Sequence, residues 1–146
     1  MGWVDVLRGQ VVSLDTAPLI YYIEKHPLYV KIVVSFFDAI SRGEFTVVTS
    51  TITLLEILVK PLRIHDKQLA EKYRKVITQN VKVLPLSQEI AEKAASIRAV
   101  HSKVRTPDAV QLATAIYAEA SFFVTNDVNL PVLPGLQMVV LNRVSL

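Results

Sequence analysis

The sequence contains no cysteine, and this absence excludes several kinds of protein and site. A disulfide-stabilised scaffold, a thiolate nucleophile and a zinc site with cysteine ligands all require that residue. The chain also lacks an apolar run of the roughly 18 residues that a membrane-spanning helix needs. The longest candidate, residues 109–125, is interrupted by Gln111, Thr114, Glu119 and Ser121. Residues 3–6 do not show the basic-then-apolar pattern of a secretory signal, so we expect a soluble cytoplasmic protein without membrane attachment.

Glycine and proline are scarce as well, with four and seven residues in a chain of 146. They do not cluster into a linker, and the sequence has no internal repeat or low-complexity segment. Because a domain averages roughly 150 residues, the length predicts one domain that spans residues 1–146. Hydrophobic residues make up 51% of the chain and charged residues 20%, a composition that excludes intrinsic disorder.

Short β-branched runs alternate with longer segments of helical spacing. The runs lie at residues 10–14, 46–49, 81–84, 122–125 and 138–141. Their nearly continuous apolar character is typical of strands that are covered on both faces. The segments between them predict the order β-α-α-β-α-α-β-α-α-β-β, which is an α/β fold with a mainly parallel five-stranded sheet. Residues 1–9 precede the first predicted strand, and the sequence assigns them no role.

Polar residues and prolines mark the ends of the predicted helices. Ser87 is suited to cap the fifth helix, and Thr106 is suited to cap the sixth, with Pro107 at its first position. We expect Pro61 to end the third helix, because proline lacks a backbone donor and disfavours a helical conformation at Lys60.

Four acidic residues are predicted to lie at one edge of the sheet. In an open parallel sheet, ligands bind beyond the carboxyl ends of the strands. Asp15 follows the first strand and Asp127 follows the fourth, while Asp108 opens the sixth helix. Glu56 lies about one and a half helical turns beyond the second strand, which keeps it near the same edge. We therefore expect the four carboxylates to converge.

Each acid also has an ordinary structural explanation. Asp15 is suited to cap a helix, and Asp127 is typical of a turn. Glu56 has Lys60 four residues later, which is the spacing of an exposed ion pair. Asp108 in the first turn of a helix is explained by the helix dipole. The shared edge, rather than any single residue, favours a joint role.

Carboxylates that lie close together cannot all remain ionised without a cation, because their repulsion raises at least one pKa. We therefore expect the four acids to be both the catalytic residues and the ligands of one or two Mg²⁺ or Mn²⁺ ions. Two such ions, about 3.5–4 Å apart, would stabilise the attacking and leaving oxygens of a phosphoryl displacement. The three histidines lack the spacing of metal ligands, and we expect them at the surface or the margin of the core.

Basic residues indicate a polyanionic partner. Residues 60–82 contain seven lysines and arginines against two acids, a local net charge of +5. This segment, which includes Lys60 and Arg63, either guides a nucleic-acid backbone towards the acids or is a solvated helix face. Arg105, three residues before Asp108, is the best single candidate for a phosphate contact. No aromatic-rich platform for single-stranded RNA is evident, so the sequence does not predict an RNA target.

The sequence resembles the PIN-domain ribonucleases, and most closely the VapC-type toxins of toxin–antitoxin pairs. The resemblance extends from about residue 11 to residue 141 and depends on four segments, which are VSLDT (12–16), TSTITLLE (49–56), RTPDAVQLATA (105–115) and FVTND (123–127). It implies a three-layer α/β/α sandwich and a metal-dependent endoribonuclease in which an activated water cleaves RNA to a 5′-phosphate and a 3′-hydroxyl. It also implies a homodimer and an antitoxin protein whose tail occupies the groove.

The family's functional residues can be carried over position by position. The four acids match the acidic quartet of the family. Thr125 matches a hydroxyl that often supports the site, and Asn126 matches its neighbour. Many relatives have asparagine two positions after the first aspartate, where this chain has Ala17. The resemblance therefore implies that a supporting hydrogen bond is either missing or supplied by Thr16.

Three other functions are open at this point. The main alternative is a non-catalytic PIN scaffold that binds RNA or protein, although a pure binder has no need to concentrate acids where phosphate lands. A phosphoacceptor receiver domain would have paired acids before the first strand ends and a late lysine, and the sequence has neither. A structure-specific DNA nuclease usually has insertions for which 146 residues leave little room. Surplus apolar residues along 30–40 and in the fifth helix further favour a homodimer.

Overall fold

The computed structural model describes residues 2–144, which form a parallel sheet with helices on both faces. The strands are β1 (Val11–Leu14), β2 (Thr46–Ser50), β3 (Lys82–Leu84), β4 (Phe122–Thr125) and β5 (Gln137–Val140). The helices are α1 (Thr16–Ile23), α2 (Val30–Ser41), α3 (Thr51–Arg63), α4 (Lys67–Asn80), α5 (Gln88–Val100) and α6 (Thr106–Tyr117). The predicted element order is confirmed. None of the helices in this described range is long and apolar enough to cross a membrane.

The order of the strands fixes where a ligand can bind. The sheet runs β3-β2-β1-β4-β5, and each neighbouring pair is parallel. The chain thus builds the sheet outwards from β1 to β3 and then returns to place β4 on the other side of β1. This reversal creates a crevice at the carboxyl ends of β1 and β4, where Leu14 is in register with Val124.

Two hydrophobic clusters on opposite faces of the sheet form the core. Alternate residues of β4 divide between them, because successive side chains of a strand point to opposite faces. Phe122 and Val124 pack with α1, α2 and α4, whereas Phe123 packs with α5 and α6. The predicted three-layer α/β/α sandwich is therefore confirmed.

The N-terminal segment, to which the sequence assigned no role, packs on α2. Trp3–Leu7 forms a short 3₁₀ helix. The Trp3 ring stacks on Phe36 at 5.6 Å between centroids, and its indole nitrogen donates to the Ile32 carbonyl. The apolar stripe of α2 faces the core as well, since Val33 and Phe37 are buried. Residues 30–40 therefore contribute mainly to the core, and Val34 is the exposed member of the apolar stripe.

Two helix boundaries differ from the predictions. Helix α3 continues through Pro61 to Arg63, because a proline near the end of a helix removes only one hydrogen bond and Pro61 is itself buried. The final carbonyls still find donors, since the Asp66 amide donates to the Pro61 carbonyl. Helix α6 begins at Thr106 rather than after it, and Arg105 occupies the cap position without a side-chain hydrogen bond.

Candidate active site

One open cleft of about 570 Å³ lies at the carboxyl ends of β1 and β4. Asp15 enters it directly after β1, and Asp127 enters it two residues after β4. Helix α3 contributes Glu56, and the first turn of α6 contributes Asp108 with the preceding Arg105. The other residues that line the cleft are Thr16, Ala17, Ile20, Tyr21, Asn126, Val128 and Asn129. The structure thus brings the four predicted acids to one cleft.

Asp15 is the acid that the fold holds most firmly. Its Oδ1 accepts a hydrogen bond from the Thr16 amide at 2.8 Å, and its Oδ2 accepts one from the Thr125 hydroxyl at 2.7 Å. Burial raises the pKa of the Asp15 carboxyl above its usual value, although these two hydrogen bonds oppose the shift. Repulsion from Asp108 and Glu56 raises the pKa further. A cation in the cleft would relieve this repulsion.

Glu56 is fixed by a hydroxyl rather than by a lysine. The Thr16 hydroxyl donates to Glu56 Oε1 at 2.6 Å. The alternative explanation of Glu56, a surface pair with Lys60, does not describe this geometry because Lys60 pairs with Glu24. Glu24 also accepts a hydrogen bond from the Tyr73 hydroxyl. Burial raises the pKa of Glu24, but the hydrogen bonds from Lys60 and Tyr73 outweigh it and hold that pKa below its usual value.

Arg105 contacts one of the acids directly. Its Nε lies 3.2 Å from Asp108 Oδ2, and its side chain is 75% exposed whereas that of Asp108 is 18% exposed. The guanidinium therefore lies at the mouth of the cleft and retains donors for another anion. Lys60 and Arg63, the other predicted phosphate contacts, lie in the last turn of α3, and neither lines this cleft.

The segment after β4 joins two acids and one aromatic ring. The Thr125 oxygen accepts from the Asp127 backbone amide at 3.0 Å while its hydroxyl donates to the Asp15 carboxylate, so one side chain connects that carboxylate to the backbone of Asp127. Asp127 Oδ1 accepts from the Asn129 amide at 2.8 Å, the turn geometry that its alternative explanation anticipated. Asn126 Nδ2 donates to the Tyr21 hydroxyl at 3.1 Å.

A buried chain of hydroxyls supports Glu56, and sequence reasoning did not identify it. Gln111 Nε2 donates to the Thr53 hydroxyl at 2.6 Å and is 3.4 Å from the Thr16 hydroxyl. Thr53 lies 2.8 Å from the Thr49 hydroxyl, which donates to the Leu14 carbonyl. Gln111 is 1% exposed, between Val110 and Leu112. A glutamine within an apolar helix was the available signal, since buried amides require partners.

The donor set suits a hard divalent cation in part. Within residues 2–144, no three acidic or histidine side chains lie close enough together to hold an ion by themselves. Mg²⁺ typically takes only one or two carboxylates and completes its shell with waters and substrate phosphates. The cleft offers four carboxylates, and those of Asp15 and Glu56 are held in place by hydrogen bonds from Thr16. The residues present are therefore compatible with such an ion once phosphate joins them.

The structure resembles several solved structures. It matches VapBC2 from Rickettsia felis, bound to a promoter DNA fragment, with a TM-score of 0.72 and 18% identity over 88% of this chain and 97% of that one. A toxin–antitoxin complex from Klebsiella pneumoniae gives a TM-score of 0.66 and 22% identity over 86% and 94%. DNA-bound VapBC from Salmonella typhimurium gives 0.63 and 21% over 90% and 98%. At these identities, the likenesses establish the fold.

The sequence comparison establishes the family. No curated protein matches this sequence at a significant level. A family profile described as PIN domain, however, matches residues 12–136. The matched range begins in β1 and includes all four acids of the cleft. The chain belongs to the PIN-domain family.

Proposed function

We propose that this protein is a metal-dependent endoribonuclease, the VapC-type toxin of a toxin–antitoxin pair. One observation carries the proposal, namely that Asp15, Glu56, Asp108 and Asp127 line a single open cleft at the point where strand order reverses. A cleft of this kind is open to a polymer, and its charge is suited to a phosphodiester only if a cation accompanies the acids. The structural neighbours that are toxin–antitoxin complexes support the toxin assignment.

The proposed ion is Mg²⁺ or Mn²⁺, one or two per site. The proposed ligands are Asp15, Glu56, Asp108 and Asp127, with one or two of these carboxylates on each ion and waters and a substrate phosphate in its other positions. When bound, the ion supplies Lewis acidity to the phosphate and activates a water for attack.

The chain's own residues orient these groups. Thr125 and the Thr16 amide hold the two oxygens of Asp15, and the Thr16 hydroxyl holds Glu56. Thr16 would thus supply a supporting hydrogen bond in place of the asparagine that many relatives have at the position of Ala17. Arg105 at the cleft mouth would bind a phosphate of the RNA and bring its backbone to the acids.

The partners form part of the same proposal. An antitoxin protein would cover the cleft, as the resemblance implies, and the location would be cytoplasmic, where RNA is available. A homodimer is supported by α3, since its side chains at Leu55, Val59 and Leu62 are exposed and recur four and three residues apart. Light scattering at tens of micromolar checks this assignment, and a monomer mass would contradict it.

Cleavage of RNA by matched variants tests the proposal. Wild type, Asp15→Asn and Asp108→Asn are incubated with structured and single-stranded RNA in Mg²⁺ or Mn²⁺, with EDTA as the metal-free control. Asp38→Asn, an exposed aspartate on α2, serves as the matched control variant. We expect wild type and Asp38→Asn to cleave and the two cleft variants to lose activity. Equal cleavage by all four proteins would contradict the proposal, because the cleavage would then not depend on the acids of the cleft.

A further inference from the structure

The proposed active-site cleft is lined by two chemically different sets of side chains, which we call its acidic wall and its apolar wall. The four acids form the first set, and Ala17, Ile20 and Tyr21 of α1, together with the exposed Val128, form the second. An ion and a phosphate would use only the acidic part. The apolar wall therefore calls for a second, uncharged group on the ligand that enters this cleft.

Tyr21 is the aromatic residue of that wall, and its ring is held from two directions. Its hydroxyl accepts a hydrogen bond from Asn126 Nδ2 at 3.1 Å, and Asn126 Oδ1 in turn accepts from the Asn142 amide at 2.8 Å. The Tyr29 ring stacks on Tyr21, with centroids 4.9 Å apart and an interplanar angle of 15°. A ring that is fixed in this way loses little conformational entropy when a ligand stacks on it.

The Tyr21 ring is also connected, through Asn126, to the chain segment that carries Asp127. Asn126, which binds the Tyr21 hydroxyl, immediately precedes Asp127. The Thr125 hydroxyl on its other side bonds to Asp15. The position of the aromatic ring relative to the acids is therefore set by one short segment, which is the arrangement needed to place a flat group at a fixed distance from a phosphate.

We infer that Tyr21, backed by Tyr29, is a stacking site for an unpaired nucleobase of the RNA that occupies the cleft. This inference rests on the proposed ribonuclease function and specifies how that site binds its substrate. A nucleotide combines an anionic phosphate with a flat, uncharged base, and the two walls of the cleft match these two parts. A base within a duplex has its faces covered, so the substrate must present at least one unstacked nucleotide here.

The sequence did not reveal this site because its members come from two elements. Tyr21 lies near the end of α1, while Tyr29 is the residue before α2, and only the turn between them brings the rings together. His26 lies in that turn, with its ring tilted against Tyr21 at 4.7 Å. The signal in the sequence is therefore a spacing of eight residues across a turn, rather than a run of aromatics.

Binding of base-containing and abasic strands tests the inference. The probes are two single-stranded ribo-oligonucleotides of equal length, a mixed sequence and its abasic ribose-phosphate counterpart, measured in Ca²⁺ with strand integrity checked on gels. Stacking on an aromatic ring predicts roughly 5- to 150-fold tighter binding of the base-containing strand by wild type. Tyr21→Leu should bring the two affinities together. Tyr21→Phe should keep the preference, because it retains the ring. Tyr117→Leu, which alters an exposed tyrosine outside the cleft, should keep it as well.

A second measurement does not depend on how the leucine variant folds. A 2-aminopurine placed in the mixed strand should lose fluorescence when wild type binds it, because stacking on tyrosine quenches the base. Equal affinity of wild type for both strands, or unquenched 2-aminopurine in the bound strand, would overturn the inference. If Tyr21→Leu still preferred the base-containing strand, the inference would also be overturned, and a protein ligand on the apolar wall would be favoured instead. The proposed function is tested separately, by whether wild type cleaves RNA and Asp108→Asn does not.

Discussion

The Thr16 hydroxyl donates a hydrogen bond of 2.6 Å to Glu56 Oε1, and it thereby connects the first residue of α1 to the carboxylate of α3. The same residue donates its backbone amide to Asp15. Two of the four acids in the cleft are thus positioned by one threonine. Loss of its hydroxyl should affect the site more than it affects the fold.

Replacement of Thr16 by valine removes this hydroxyl and keeps the shape of the side chain. We expect Thr16→Val to lower metal affinity or the cleavage rate about 10- to 100-fold, the usual cost of removing a group that orients a metal ligand. Thr16→Ser should retain activity. Thr114→Val is the matched control, since the buried Thr114 hydroxyl donates to the Val110 carbonyl within α6. Equal activity of Thr16→Val and wild type would contradict this role.

Replacement of Gln111 by leucine should lower activity without a large change in stability. The Gln111 Nε2 donates to Thr53, but the Gln111 Oε1 is buried without a hydrogen-bond partner within residues 2–144. The lost hydrogen bond and the relief of the unpaired oxygen oppose each other, so we expect the free energy of unfolding to change by no more than about 1 kcal/mol. Activity should still fall, though less than in Thr16→Val. Urea unfolding and cleavage rates measure the two effects, and full activity with a loss above about 3 kcal/mol would show a purely structural role.

The raised pKa of Asp15 predicts a pH-dependent stability difference in the absence of metal. A carboxyl whose pKa is higher in the folded than in the unfolded state binds more protons when folded, so its contribution to stability declines as pH rises. This decline begins at the unfolded value of 3.8 and is complete above the raised folded value. Asp15→Asn carries no such charge. In EDTA, its unfolding free energy relative to wild type should therefore increase as the pH rises above the unfolded value of 3.8. A difference that shrinks with rising pH for Asp15→Asn would refute the assignment.

Arg105 and Lys60 should respond differently to alanine. Because Arg105 is exposed, Arg105→Ala should change the free energy of unfolding by less than about 0.5 kcal/mol. The slope of log RNA affinity against log salt concentration should decrease by about one, which corresponds to one lost phosphate contact. Lys60→Ala should leave that slope nearly unchanged. It should instead cost about 0.2–1 kcal/mol of stability, because Glu24 loses the cation with which it pairs. Salt titrations of RNA binding compare the two variants. A larger decrease of the slope in Lys60→Ala than in Arg105→Ala would show that Lys60, and not Arg105, contacts the RNA backbone.

The order of elements and the location of the acids were predictable from sequence, because both depend on local patterns. A β-branched run such as that of β4 identifies a strand, and Asp127 lies two residues after its end, so its place at the sheet edge requires no knowledge of other contacts. The contacts that hold the acids were not predictable. Gln111 reaches Thr53 across 58 residues of sequence, and no local pattern encodes that pairing.

Helix packing also decided the cases in which the sequence predictions failed. Pro61 was expected to end α3, but the residue is buried near the helix end, where one missing hydrogen bond is tolerated. Lys60 has the spacing to pair with Glu56, yet α1 brings Glu24 closer to it. Each outcome depends on how two helices lie against each other, which the sequence of one helix does not specify.

Anomalous scattering from a crystal grown with Mn²⁺ shows whether the four acids of the cleft bind a cation. We expect a manganese peak in the cleft that Asp15, Glu56, Asp108 and Asp127 line, and no such peak in a crystal of Asp108→Asn grown under the same conditions. A wild-type cleft without manganese, with the four carboxylates directed away from one another, would contradict this expectation.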